Sequence, residues 1–184
     1  GYAINFARRL GVTSNLAKDL SLALGSSGVT VMEMCKAYST FPAQGKSIEP
    51  VYIKKISDRY GNILEYHAPR EELYDEDGNV LKGKENLADI NDYINENPSQ
   101  VISEQTAYLM TYLLREVVLY GTGRSVRFLP RTCGGKTGTT NDFLDAWFMG
   151  FTPDIVTGVW VGFDEPDKPI GRFETGAKTA APIW

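Results

Sequence analysis

Residues that build metal sites and disulfide frameworks are scarce in this sequence. Its 184 residues include two cysteines and one histidine. Nothing in the spacing of Cys35 and Cys133 requires a bridge, so we expect two buried free thiols, which leave the redox compartment open. A Ser-His-Asp triad would have to use His67, which has no evident partner in sequence and which we expect at the surface. We therefore predict no metal site and no cofactor.

Long apolar runs and basic clusters are also missing. No stretch is long enough to cross a membrane, and a net charge of −4 without a basic run argues against a nucleic-acid partner. The length and an apolar fraction of 42% suit one globular domain with a real core. We expect no signal peptide at the start of the sequence, since "GYAINFARRLG" has the pattern of the middle of a helix. This helical start and the abrupt end at "AAPIW" lead us to expect that the sequence is an excerpt of a longer protein.

Local patterns predict three main helices. The first spans residues 2–10 and ends at Gly11, a natural C-terminal stop. The second begins at Thr30, which stands in capping-box spacing with Glu33. The third follows Ser103, a plausible N-cap, and buries one face through apolar residues at helical spacing. These residues are Met110, Leu113, Leu114, Val117 and Val118.

Strand patterns fall in two separate parts of the chain. "VYIKKISDRYGNILEYH" predicts a hairpin around Tyr60-Gly61-Asn62, followed by an acidic insertion or long loop at about residues 71–98. Residues 145–152 and 155–163 predict two more strands joined by a tight turn. Helices and neighbouring strands in separate runs predict an α+β fold with an antiparallel sheet. Three aromatic residues of the later strands are expected in the core: Trp147, Phe148 and Trp160.

The stretch "RTCGGKTGTTNDFLDAWFMGF" allows two interpretations as an anion-binding motif. Gly135, Lys136 and Thr137 match the second half of a P-loop. The first glycine of that motif is replaced by Pro130, which has no N–H and cannot adopt the left-handed turn. A P-loop is also followed by a helix, whereas the residues after this motif predict sheet. We therefore reject the phosphate interpretation.

The second interpretation is a strand that lines a cleft. Alternation places Lys136, Gly138 and Thr140 on one face, and Thr137 and Thr139 on the other. An ammonium and several hydroxyls suit a carboxylate ligand, and Gly138 lets a ligand backbone approach closely. A free backbone N–H there could polarise a carbonyl, as in an oxyanion hole.

With "KTGTT" in a strand, the sequence closely resembles the transpeptidase domain of class A penicillin-binding proteins, the bifunctional peptidoglycan synthases. "NDFLDAWFMGFTPDIVTGVWVGFDEP" and "ETGAKTAAPIW" extend the resemblance, and "LSLALGSSGVTVMEMCKAYSTFPAQGK" and "VISEQTAYLMTYLLREVVLYGTGR" agree with it in order. K-T-G is one of three short motifs of the penicillin-recognising serine acyl-enzymes. The resemblance covers nearly the whole chain apart from the acidic insertion. It implies that residues 1–184 are the C-terminal portion of a single transpeptidase domain, with the penicillin-binding/β-lactamase-like fold of an antiparallel sheet flanked by helices.

The resemblance also implies a reaction and roles for the motif residues. A serine attacks the carbonyl of the penultimate D-alanine of a peptidoglycan stem peptide, D-alanine leaves, and an amine of a neighbouring peptide takes the acyl group. β-Lactams mimic this substrate and trap the acyl-enzyme. Lys136 would be the catalytic lysine that sets the local field. Thr137 and Thr139 would bind the substrate carboxylate, with the Thr139 N–H as an oxyanion donor. Gly138 would give clearance, and Thr140 is a further substrate-binding candidate.

Two motifs of the family, S-x-x-K and S-x-N, do not occur in this sequence. The resemblance therefore implies a nucleophile outside these residues, in a parent protein anchored in the bacterial inner membrane with its catalytic parts in the periplasm. One alternative is a non-catalytic module that binds peptidoglycan or a partner protein. Another is a D,D-carboxypeptidase or β-lactamase, in which water takes the acyl group. We also expect the last strand to have an unpaired edge through which the chain self-associates.

Overall fold

The chain folds into two units, which we describe separately. A computed structural model describes residues 1–66, 100–165 and 167–184. The first unit comprises residues 1–48 and 99–184, and the second comprises residues 49–98. His67 and the acidic stretch at about 71–98 lie outside the described residues, so the predictions for them stay predictions. In the described ranges, the helices are all too short or too polar to span a bilayer.

The three predicted helices are present in the first unit. Helix α1 (Tyr2–Arg9) ends one residue before the predicted Leu10, and Gly11 follows with a φ of +96°. Helix α2 (Val31–Ser39) begins with a complete capping box, because the Thr30 hydroxyl accepts from the Glu33 N–H and the Glu33 carboxylate accepts from the Thr30 N–H. Helix α3 (Glu104–Leu119) begins after Ser103, whose hydroxyl accepts from the Thr106 N–H. These caps satisfy N–H groups that have no partner within the helix.

The second unit contains the predicted hairpin. Strands β1 (Lys55–Ser57) and β2 (Ile63–Tyr66) pair antiparallel. The Asp58 carboxylate accepts hydrogen bonds from the backbone N–H of Tyr60 and of Asn62, and from the Asn62 side chain. Hydrogen bonds from Asn62 and Tyr60 hold the pKa of Asp58 below its usual value. Tyr60 to Asn62 is thus a turn stabilised by an aspartate, as the sequence predicts.

A three-stranded antiparallel sheet forms the centre of the first unit. Its strands are β3 (Gly134–Thr139), β4 (Asp145–Phe151) and β5 (Val156–Gly162), in that spatial order. The fold is therefore α+β with an antiparallel sheet, as predicted. β4 is the middle strand, and most of its residues are buried. Short helical turns complete the unit at Leu20–Leu24, Arg124–Val126, Asn141–Phe143 and Gly176–Ala180.

The core lies where β4, the end of α3 and the C-terminal segment meet. Phe148 is fully buried there, and its ring packs edge-on against Trp184 with centroids 5.2 Å apart. Val118 of α3 and Cys133 belong to the same cluster. Burial of an aromatic side chain of this size stabilises a fold by about 3–5 kcal/mol relative to alanine. Both cysteines have free thiols, as predicted, although Cys35 is only half-buried.

The prediction that Leu113 belongs to the buried apolar stripe of α3 is wrong. Leu113 is 56% exposed, whereas Ala107, which was not part of the predicted stripe, is 1% exposed. Leu114 and Val118, one turn apart, are buried as predicted. An α-helix turns 100° per residue, so the narrow face that meets the sheet covers Leu114 and Val118 but not Leu113. The small side chain of Ala107 allows close packing against Val101 and Ile102.

Candidate active site

A cleft of about 790 Å³ lies along the edge of β3. Lys136, Thr137, Gly138 and Thr140 form its polar wall. The facing wall is mostly apolar and includes side chains of α1, α2 and the segment between them, among them Leu16 and Met34. A mostly apolar cleft with a few convergent polar groups is typical of a small-molecule or peptide site.

The hydrogen-bond pattern of the sheet determines which backbone groups of β3 face away from β4. Just past the end of β3, the Thr140 N–H donates to the carbonyl oxygen of Asp145 at 3.2 Å. Residues along an antiparallel strand bond to the neighbouring strand alternately. In the register that pairs Thr139 with Ala146, the N–H groups of Thr137 and Thr139 therefore point away from β4. Among the described residues β3 pairs with β4 alone, so this edge is open.

Lys136 lies along this open edge. Its side chain is exposed, and its ammonium donates a hydrogen bond of 2.7 Å to the carbonyl oxygen of Thr137. The positive charge is thus held beside the outward-facing backbone groups of the strand. Among the described residues of the cleft lining, the only other charged one is Asp145, whose carboxylate accepts from the Trp160 indole N–H at 2.7 Å. An anion entering beside Lys136 meets a cation that has no carboxylate bonded to it in the described structure.

The two hydroxyls proposed for carboxylate binding have partners outside the motif. The Thr137 hydroxyl donates to the hydroxyl oxygen of Thr122 at 2.7 Å. The Thr139 hydroxyl accepts from the backbone N–H of Gly176 at 3.1 Å. A hydroxyl that accepts one bond keeps its own proton available. Thr139 can therefore still donate to an anion while Gly176 holds its oxygen in place.

Thr140 has a structural role at the end of the strand. Its hydroxyl accepts from the backbone N–H of Asp145 at 2.7 Å and closes the turn into β4. Thr140 also lines the cleft, and its role in binding a substrate stays a prediction. The Thr140 oxygen already accepts the hydrogen bond that closes the turn, so Thr140 would contact a ligand by donating its hydroxyl proton.

The C-terminal segment packs directly against the motif strand. A Cβ atom at Gly176 would lie 2.5 Å from the carbonyl oxygen of Gly138 and closer still to that of Trp147. Only glycine allows this approach between two backbones. On the strand itself, a Cβ at Gly138 would lie 3.0 Å from the Cβ of Trp147. The glycines at positions 138 and 176 thus allow β3 to pack closely against the Trp147 side chain and against the C-terminal segment.

A buried carboxylate holds the apolar wall of the cleft in place. The Glu33 side chain is 9% exposed and accepts from the backbone N–H and the hydroxyl of both Thr13 and Ser14, each at 2.6 Å. Burial acts to raise its pKa, but the hydrogen bonds from Ser14, Thr13 and Thr30 outweigh burial and hold the pKa of Glu33 far below its usual range. Val12 and Leu16, on either side of this contact, line the cleft.

Two of the three aromatic residues predicted for the core line the cleft instead. Phe148 is in the core, but Trp147 and Trp160 line the cleft with their ring centroids 6.4 Å apart. Alternation along β4 explains the difference, since Trp147 and Phe148 are neighbours and point to opposite faces. Trp147 pairs with Trp160 across the sheet, so both share the cleft face.

The structure places four of the five predicted motif residues in the lining of one cleft, whereas Thr139 lies on the same strand outside that lining. In the described residues, the strand continues into a short helical turn and then β4, so the P-loop interpretation is excluded. Thr122 and Gly176 were not predicted, although both contact the motif hydroxyls. In the sequence, only the small residues around Thr122 and Gly176 mark these positions, and small residues are common in loops.

The sequence model of the penicillin binding protein transpeptidase domain matches residues 8–183. The chain belongs to this transpeptidase family. Penicillin-binding protein 1A of Neisseria meningitidis serogroup B is 38% identical over 186 residues, which cover 100% of the chain and 20% of the relative. Penicillin-binding protein 1A of Pseudomonas aeruginosa is 38% identical over 208 residues, covering 99% of the chain and 25% of the relative.

Solved structures of penicillin-binding proteins share the fold of this transpeptidase chain. Penicillin-binding protein 1A from Haemophilus influenzae superposes with a TM-score of 0.77 at 31% identity, covering 99% of this chain and 29% of that one. The penicillin-binding protein PonA1 from Mycobacterium tuberculosis, in complex with penicillin V, gives a TM-score of 0.72 at 22% identity. This match covers 99% of the present chain and 47% of PonA1 in that structure. The chain thus spans about a fifth to a quarter of the length of the curated relatives described above. The resemblance to class A penicillin-binding proteins is confirmed.

Proposed function

We propose that this chain forms one wall of the active site of a peptidoglycan D,D-transpeptidase. The observation behind the proposal is the open edge of β3. Within four residues it presents the Lys136 ammonium, an outward N–H at Thr139, and the hydroxyls of Thr137 and Thr139. These groups match a peptide that ends in a carboxylate and whose last peptide carbonyl develops negative charge during the reaction.

Each group has a proposed role in acyl transfer. A serine oxygen, from a part of the protein outside these residues, attacks the penultimate D-alanine carbonyl carbon, and the Thr139 N–H donates to the oxygen as it becomes negative. The C–N bond then breaks, and the leaving D-alanine amine takes up the proton that the serine lost. An amine of a second stem peptide attacks the resulting ester, forms the cross-link and returns a proton to the serine oxygen. The Lys136 ammonium stabilises the negative charge that develops on the substrate carbonyl oxygen in both attacks. Gly138 leaves room for the substrate backbone.

The substrate carboxylate is proposed to bind the hydroxyls of Thr137 and Thr139, with Thr140 as a third donor. β-Lactams that carry a carboxylate beside a strained amide present the same two groups, and the structure of PonA1 from Mycobacterium tuberculosis is a complex with penicillin V. Peptidoglycan lies outside the cytoplasm, so we propose that the site faces the periplasm in a protein attached to the inner membrane. Residues 1–184 would be the C-terminal portion of one transpeptidase domain, consistent with the family match over residues 8–183.

Labelling with a fluorescent penicillin tests this proposal. In the full-length protein that contains this chain, we expect covalent labelling, and Lys136→Ala should slow it on the order of 100-fold because a charge that stabilises the transition state is lost. Lys178→Ala is the matched control, since the exposed ammonium of Lys178 pairs with Glu174 and does not line the cleft. The isolated chain should not be labelled, because it has no S-x-x-K serine.

Two results would contradict the proposal. Labelling of a residue in the isolated chain would place the nucleophile within these residues. A full-length protein that resists penicillin but still binds a stem peptide would instead support the non-catalytic binding module. If the protein is labelled, analysis of its products separates the transpeptidase from a carboxypeptidase, because the former yields cross-linked peptides and the latter yields shortened ones.

A further inference from the structure

Thr122 lies outside the K-T-G motif but beside it in space. It belongs to the loop after α3, between Gly121 and Gly123. The N–H groups of both glycines donate to the Val117 carbonyl oxygen at 3.0 Å, so the loop is folded back onto the end of the helix. A Cβ atom at either glycine would lie within 3.2 Å of Val117. Of these three residues, only Thr122 has a side chain, and that side chain reaches β3.

The contact between Thr122 and Thr137 has a chemical consequence. The Thr137 hydroxyl donates its single proton to Thr122 at 2.7 Å. That proton cannot also be donated to a substrate carboxylate. When an anion binds, the Thr137 proton must turn toward it, and the oxygen of Thr137 then becomes free to accept. Thr122 also has a hydroxyl proton, so it can reverse its role from acceptor to donor.

We propose that Thr122 is a positioning residue for carboxylate recognition by Thr137. In the free site Thr122 accepts from Thr137 and holds its side chain at the cleft. In the bound site Thr122 donates to Thr137, and Thr137 donates to the carboxylate. A donor that itself accepts a hydrogen bond is polarised and binds an anion more strongly. The inference rests on the proposed function, because it assumes that the anion is the substrate's terminal carboxylate.

The test uses the full-length protein that contains this chain, with Thr122→Val and Thr122→Ser. We compare the second-order rate constants of acylation by penicillin G and by its methyl ester, which lacks the anion. Loss of one hydrogen bond corresponds to about a 3- to 10-fold effect. Thr122→Val should slow acylation by penicillin G by this factor and leave the ester reaction unchanged, and Thr122→Ser should restore the wild-type rate. With a peptide substrate, KM should rise while kcat stays nearly constant.

Two controls separate positioning from a general structural effect. Thr111→Val makes the same change at a half-buried threonine of α3 outside the cleft lining, and should alter neither reaction. In a Thr137→Val background, Thr122→Val should have no further effect, because the hydroxyl that it positions is gone. If Thr122→Val does not fold, Thr122→Ala is measured in the same way.

Several results would overturn the inference. Equal slowing with penicillin G and the ester would indicate a structural or oxyanion effect, and additive effects of the two substitutions would show that Thr122 acts independently of Thr137. No effect of Thr122→Val, or no recovery with Thr122→Ser, would also reject it. A wild-type protein that fails to acylate at all contradicts the proposed function instead, so the two failures are distinguishable.

Discussion

Glu33 joins two parts of the chain, the start of α2 and the segment at Thr13 and Ser14, through one side chain. It caps α2 by accepting from Thr30, and it also accepts backbone and hydroxyl hydrogen bonds from Thr13 and Ser14. An ionised carboxylate is purely an acceptor, which matches a site that consists of donors alone. The pKa of Glu33 lies far below its usual range for this reason, despite burial that acts to raise it. Proton binding and unfolding are therefore linked at this residue.

Glu33→Gln should destabilise the domain by about 2 kcal/mol or more, because an amide NH₂ faces donors where an oxygen accepted before. The wild-type contribution is present above the unfolded-state pKa of about 4.3 and is lost as pH falls toward the lower folded-state pKa. The wild-type free energy of unfolding should therefore decrease below about pH 4 more steeply than that of the variant. Urea unfolding at several pH values measures this.

Glu104→Gln is the control for this change, since Glu104 is an exposed carboxylate in the first turn of α3. Its effect at pH 7 should stay within about 0.5 kcal/mol. Equal stability losses for the two variants, or parallel pH profiles for wild type and Glu33→Gln, would show that the buried carboxylate is not the linked group.

The C-terminal segment and strand β3 form one closely packed element pair. The N–H of Gly176 bonds to Thr139, and its Cα lies against the backbone at Gly138. Trp184 continues the same segment, and its indole N–H donates to the Thr157 carbonyl oxygen at 3.1 Å. The segment therefore supports the motif strand at one end and reaches β5 at the other. Displacement at Gly176 is transmitted directly to the proposed oxyanion donor.

Gly176→Ala should push this segment away from β3. Overpacking of this kind typically destabilises a protein by about 1–3 kcal/mol. We expect a lower free energy of unfolding and slower penicillin acylation together, because the strand that holds the Thr139 N–H is displaced. Thermal unfolding and labelling rates measure the two effects.

Gly28→Ala is the matched control for the stability effect of Gly176→Ala, because a Cβ added at Gly28 has no atom within 4 Å apart from its own residue and its chain neighbours. It should leave stability nearly unchanged. A Gly176→Ala protein as stable and as reactive as wild type would mean that the segment moves aside without disturbing β3.

At the scale of the whole molecule, the sheet ends in a strand with an open side. Among the described residues β5 pairs with β4 alone, and Ile155 and Phe163 beside its two ends are 59% and 43% exposed. Cys35 of α2 packs against this strand, since a Cβ added at Gly158 would lie 3.0 Å from its sulfur. An open strand edge with exposed apolar neighbours is a site for pairing between chains.

The isolated chain should therefore self-associate through β5. Light scattering should show an average mass that rises with concentration, whereas the full-length protein, in which other strands can cover this edge, should show no such rise below the same concentration. A strictly monomeric isolated chain at high concentration would contradict this prediction.

The sequence by itself determined the local structure and the family. Caps such as Thr30 with Glu33 and the turn at Asp58 to Asn62 depend on groups a few residues apart, and such groups meet whatever the rest of the chain does. The K-T-G strand was predictable for another reason, because it pairs with the next strand along the chain, and the alternation of its side chains follows from the strand itself.

Only the tertiary structure decided which groups meet across the fold. Thr122 reaches Thr137 from 15 residues away, and Gly176 reaches Thr139 from 37 residues away. Trp147 and Trp160 line the cleft rather than the core, because the side of the sheet that is filled depends on where α3 and the C-terminal segment pack. Periodicity shows that a residue alternates between two faces, but it does not show which face is covered.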